Sequence, residues 1–188
     1  MKENIEKFFL EISEIIKSST NLSTEIEQAV EVITNSIKNG NKVILFGNGG
    51  SAADAQHIAA EFIARFQKER DSYPAIALTT DTSIITSISN DYSFDEVFSR
   101  QCESLVNSGD VVIGISTSGT SKNVVKGFEV SKQKGAHTIA LLGNSGGTIK
   151  NLVDISLIVN STITARIQEV HRVIYHIVCD IVEKQLTE

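Results

Sequence analysis

Apolar positions in the first 40 residues recur at helical spacing: Ile5, Phe8, Phe9, Ile12, Ile15 and Ile16, then Ile26, Val30, Ile33 and Ile37 after Asn21-Leu22-Ser23. Two amphipathic helices are predicted, the first a cover for a sheet or a contact for another subunit. From Lys42 onward the pattern changes to short apolar runs rich in β-branched residues. Lys42–Phe46, Ala75–Leu78, Val111–Ile115, Thr138–Leu142 and Ile155–Val159 read as buried strands. Helical patterns lie between them: Ala52 to about Gln67 with Ser51 as N-cap, one capped within Thr79–Ser83, about Asp95 to Val106 after a polar Asn90–Ser93 loop, and about Ser121 to Lys134. Alternating strands and helices predict an α/β fold, with a parallel sheet covered on both faces. Right-handed crossovers then bring the loops after the first and third strands to one edge, where open α/β sheets bind ligands.

The last helix, about Thr162 to Lys184, is patterned on both sides. Ile167, Val170, Val173, Ile174, Ile177, Val178 and Ile181 fall on one arc, and Gln168, Arg172 and His176 form an opposite stripe. The core therefore does not claim Gln168 or His176. The stripe either faces water or meets a site built partly by another subunit. His171 lies nearer the apolar arc and reads as a packed, hydrogen-bonded histidine, while His137 has no evident partner.

At 188 residues the chain is expected to form one domain over 1–188, with helices over about 1–40 preceding the first strand. A formal charge of −6 argues against a nucleic-acid surface. Cys102 and Cys179 are far apart and form no CxxC pair, which suits a reducing cytoplasm. No basic and apolar leader opens the chain, and no segment approaches the roughly 20 apolar residues that span a bilayer. A protein without membrane attachment is expected.

Chemistry concentrates at the two glycine turns. Gly47-Asn48-Gly49-Gly50-Ser51 follows a strand and opens a helix, an arrangement that binds anions because unpaired amides and the helix dipole point at the turn. Farther along, His57 and Glu61 are four apart on one helix face, with Arg65 extending the stripe. A solvated face with a Glu–Arg pair explains that stripe equally well unless a second cluster meets it. After the third strand, Ser116, Thr117, Ser118 and Ser121 place four hydroxyls beside a glycine and a helix start, enough donors for a phosphate monoester. Asn48 and Ser51 suit sugar hydroxyls nearby. Gly47, Gly49 and Ala52 also satisfy G-x-G-x-x-A, the dinucleotide pattern, but the acidic residue expected about 20 positions on would fall in the charged loop near Glu69 or Asp71. A hydroxyl-lined second loop is also not explained by a dinucleotide.

These motifs, with Ala165-Arg166-Ile167-Gln168-Glu169 and His176, resemble the sugar-isomerase (SIS) domain family and, within it, the phosphoheptose isomerases. The resemblance covers almost the whole chain in three separated motifs. It implies a three-layer α-β-α sandwich of flavodoxin-like type with five parallel strands, and a cytoplasmic homotetramer with active sites at subunit contacts. It also implies conversion of sedoheptulose 7-phosphate to D-glycero-D-manno-heptose 7-phosphate, the first step toward bacterial heptose for lipopolysaccharide or other surface glycans. By resemblance, one zinc per subunit is bound by His57, Glu61, Gln168 and His176, and Glu61 and His176 exchange protons. Asn48, Gly49, Gly50, Asn90, Asp91, Ser116, Thr117, Ser118, Ser121, Glu61 and Gln168 then contact substrate. Two other SIS readings remain at this stage: a non-catalytic tetramer such as one that associates with a replication initiator, and a phosphosugar sensor. Neither requires the Glu61 and His176 pair.

Overall fold

The computed structural model describes residues 1–188. Helices α1 (Lys2–Ser18) and α2 (Ser23–Lys38) precede strand β1 (Val43–Gly47) and helix α3 (Gly50–Ile63). Then come β2 (Ala75–Ala77), α4 (Thr82–Asp91), α5 (Ser99–Leu105), β3 (Val111–Ser116) and α6 (Lys122–Gln133). Strands β4 (His137–Leu142) and β5 (Ile155–Ile158) complete the sheet, and α7 (Thr164–Thr187) closes the chain.

All five strands are parallel, in the order β2-β1-β3-β4-β5. Direction reverses between β1 and β3, so their carboxyl ends splay into the crevice where flavodoxin-like sheets take ligands. Side chains alternate across the sheet. Val43, Leu45, Ile113, Ile139 and Leu141 face α2, α3 and α7, whereas Ile44, Phe46, Val112, Ala140 and Leu142 face α5 and α6. The sandwich predicted from the alternation of periods is present. No helix is long and apolar enough to cross a membrane.

Local differences from the sequence reading have tertiary causes. Ser51 does not cap α3: Gly49, at φ +55°, precedes the helix, and Ser51 is buried within its first turn. The helix stops at Ile63 instead of reaching Gln67, because the carboxylate of Glu183 on α7 accepts the backbone N–H groups of Phe66, Gln67 and Lys68 at 2.7–2.8 Å. Arg65 thus lies beyond the helix, exposed and paired with Glu69. Asn90 and Asp91 form the last turn of α4, not a loop. The segment after them divides into a 3-10 turn, Phe94–Glu96, and the short α5.

The first two helices differ in role. Ile26, Ala29, Val30 and Ile33 of α2 join the core, while α1 buries no residue. On α7, Ile167, Val170, Ile174 and Val178 are buried as the arc predicts, but Ile177 remains 40% exposed. Val173, Ile177 and Ile181 line an open apolar groove of about 540 Å³ with Ile16, Ile26 and Val30.

Candidate active site

Register places Gly47 of β1 beside Ile115 of β3, so the two turns that follow emerge side by side. A reciprocal amide pair ties them together: Asn48 Nδ2 donates to Asn123 Oδ1 at 2.9 Å, and Asn123 Nδ2 returns a bond to Asn48 Oδ1 at 2.8 Å. In the second turn, Ser116 Oγ lies 3.0 Å from Ser121 Oγ and 3.4 Å from Ser118 Oγ, and it accepts the Gly119 N–H at 3.1 Å. Ser118 Oγ accepts from Thr120 N and Oγ1, at 3.2 and 3.1 Å. The hydroxyls form a compact group at the amino end of α6, where O–H donors and helix amides are the groups an anion requires. Gly119, at φ +68°, lets this turn pass the next loop, since an added Cβ would stand 2.1 Å from Gly146 O.

A second group forms where α3 meets α7. His57 Nε2 lies 2.8 Å from Glu61 Oε1, as their spacing predicts, and the His57 and His176 rings are 5.2 Å apart. One ligand atom from each of His57, Glu61 and His176 falls within 4.8 Å of the others. Two imidazoles and one carboxylate converging this closely have the composition of a three-ligand zinc site with an open position. The donor set fits such a metal. Burial, then the neighbouring His57, hold the His176 imidazole below its ordinary pKa, which favours the neutral form needed for either a ligand or a proton acceptor.

Gln168 stands about two turns before His176 on the same α7 stripe, with its amide against Gly50 at the start of α3. Within one chain, Asn90 and Asp91 bond to each other at 2.8 Å on the exposed end of α4 and to none of the cluster. His171 is fully buried, its Nε2 3.0 Å from the Leu142 carbonyl oxygen, and burial lowers its pKa. It is structural, as its place on the apolar arc predicts.

Three participants were not singled out from sequence. Asn123 is buried behind the hydroxyl turn. Asp54 and Tyr175, both 3% exposed, stand behind His57. Tyr175 Oη lies 3.2 Å from His57 Nδ1 and 3.4 Å from Asp54 Oδ1. Asp54 precedes His57 by three on α3, a spacing that places both on one face, but an aspartate there carries no signal until Tyr175 is seen opposite. Burial, then Asp54, push the Tyr175 phenol up to about 12.

The chain has close counterparts. The SIS domain family model matches residues 7–143. A phosphoheptose isomerase of Citrifermentans bemidjiense is 56% identical over 165 residues, covering 88% of this chain and 86% of its own. A solved phosphoheptose isomerase from Neisseria gonorrhoeae superposes with a TM-score of 0.92 at 41% identity, covering 97% of this chain and 98% of the other. One from Francisella tularensis gives 0.93 at 36% identity, covering 97% of both. With this fold similarity, coverage and level of identity, the chain belongs to the SIS domain family and, within it, to the phosphoheptose isomerases.

Proposed function

We propose that this chain converts sedoheptulose 7-phosphate to D-glycero-D-manno-heptose 7-phosphate, as the first step of bacterial heptose synthesis, with zinc as its metal and a homotetramer as its working form. The observation that carries the reading is the convergence of His57, Glu61 and His176 where α3 meets α7, on the helix that the first glycine turn opens. A binding scaffold or sensor would need the hydroxyls alone.

In this reading Ser116, Thr117, Ser118 and Ser121 hold the phosphate, and Asn48, Gly49, Gly50, Ser51, Asn90 and Asp91 contact the sugar. Ketose-to-aldose conversion removes a proton from C1, passes through an enediol and returns a proton to C2, while the hydroxyl proton on O1 moves to O2. The Glu61 carboxylate and His176 imidazole are the paired groups that exchange those protons. His57, Glu61, Gln168 and His176 would hold zinc, which when bound supplies Lewis-acid stabilisation of charge on the sugar oxygens. A coordinated carboxylate is a weaker base than a free one, so the ligand and base roles of Glu61 compete.

Two features support assembly: α1 has no fully buried residue within the chain, and the apolar groove beside it has no cover. A cytoplasmic location suits both a sugar-phosphate substrate and two free, buried cysteines, Cys102 and Cys179. The test mixes the zinc-loaded protein with sedoheptulose 7-phosphate and follows the aldose by NMR, with a chelated sample alongside. Conversion that disappears on chelation and returns with zinc is expected. No conversion by an intact, zinc-loaded oligomer would replace the isomerase with a phosphosugar-binding regulator.

A further inference from the structure

His57 has two ring nitrogens, and the metal and proton chemistry above uses only one. Nε2 faces Glu61 at 2.8 Å, and Nδ1 faces the Tyr175 phenol at 3.2 Å. The phenol is held in turn: Arg172 Nε donates to Tyr175 Oη at 3.1 Å, and Arg172 Nη2 donates to Asp54 Oδ1 at 3.2 Å. Asp54 Oδ1 also lies 3.4 Å from Tyr175 Oη. We infer that Tyr175, anchored by Asp54 and Arg172, is a positioning residue that fixes the ring and tautomer of His57.

A phenol has one proton to donate and lone pairs with which to accept. With the His57 proton on Nε2 and directed at Glu61, Nδ1 is an acceptor and receives a hydrogen bond from the Tyr175 O–H. With Nε2 given to a cation, Nδ1 carries the proton and donates to Tyr175 Oη. The phenol proton then turns to Asp54, whose charge Arg172 balances. Passing from one to the other, the imidazole releases its Nε2 proton to solvent and takes one up at Nδ1, and the phenol rotates its O–H bond, with no heavy atom displaced. Histidine ligands depend on such a partner on the remote nitrogen, and loss of it costs about 10- to 100-fold in metal affinity. Asp54 and Tyr175 are both buried, so neither is available to water as a substitute partner.

The inference rests on the metal reading of the cluster, and its test separates the two. Tyr175→Phe keeps the buried ring and removes only the oxygen. Long-range proton–nitrogen NMR spectra of the metal-free, nitrogen-15-labelled chain read the tautomer of each of its four histidines, with His57 identified from His57→Gln. A single Nε2–H form of His57 is expected in the native chain, and a mixture of tautomers in Tyr175→Phe. Zinc affinity, read by competition with a chromophoric chelator, is expected to fall about 10- to 100-fold in the variant. Arg172→Gln, at an exposed position, releases the anchor without entering the core and is expected to weaken zinc binding in the same direction. An unchanged His57 tautomer in Tyr175→Phe overturns the inference, as does zinc affinity within about threefold of the native chain in both variants. A native chain that holds no zinc overturns the metal reading, and the metal-free spectra still decide the role of Tyr175.

Discussion

An added Cβ at Gly50 would meet the Gln168 amide nitrogen at 2.6 Å, the far end of a flexible side chain and no part of the backbone. Gly50 begins α3 and is not among the glycines with positive φ, so alanine is compatible with the helix and favoured there by up to about 1 kcal/mol. Gly50→Ala is therefore expected to displace Gln168 while leaving the fold as stable as before or more so. A displacement of this kind costs on the order of 100-fold in turnover when the group orients substrate or metal. Rate and thermal midpoint measured together check this, and full activity with a raised midpoint would remove Gln168 from the site. Gly119→Ala makes the contrast, because there the obstacle is the Gly146 backbone. His57 and Glu61 were legible in sequence because one helix turn joins them. Asp54 and Tyr175 were not, because their meaning depends on two helices crossing.

The end of α3 shows an element bounded by another element. Nothing between Ile63 and Gln67 in sequence stops a helix, yet Glu183, 2% exposed, draws three backbone amides and the Arg70 guanidinium toward α7. Burial pushes the Glu183 carboxyl up, but those four donors together outweigh it and hold its pKa below the ordinary value. As pH falls, the unfolded chain therefore takes up this proton before the folded chain does. The stabilisation is complete above the unfolded glutamate value of about 4.3 and is lost as pH falls through the lower folded value. Glu183→Gln is expected to destabilise the chain by about 3 kcal/mol near neutral pH, the scale for breaking one partner from a buried ion pair. The difference should shrink in strongly acidic solution. Urea denaturation at both pH values reads it, and a pH-independent difference would assign the loss to packing alone.

At the scale of the whole molecule, the single chain leaves apolar surface that its own core does not use. Phe9 and Leu10 of α1 are 70% and 68% exposed, and the groove between α1, α2 and α7 is open. Contiguous apolar surface of this kind marks association sites. Phe9→Asp combined with Leu10→Asp is expected to yield smaller species in sedimentation velocity, with unchanged circular dichroism and reduced isomerase activity. Retention of both the oligomer and full activity would separate α1 from assembly and from the site.

Sequence alone determined the α/β class, the five strands and the two turns at one sheet edge, because hydrophobic period, glycine placement and crossover handedness are local or general constraints. It also determined the His57 and Glu61 pair and the character of His171, since helical spacing fixes which residues share a face. Only the tertiary structure decided where α3 ends, that His176 closes on His57 within one chain, that Asn123 locks Asn48, and that Tyr175 stands behind the cluster. Each of those depends on the packing of elements far apart in the chain, where side-chain partners are chosen by distance in space and leave no periodic trace in the sequence.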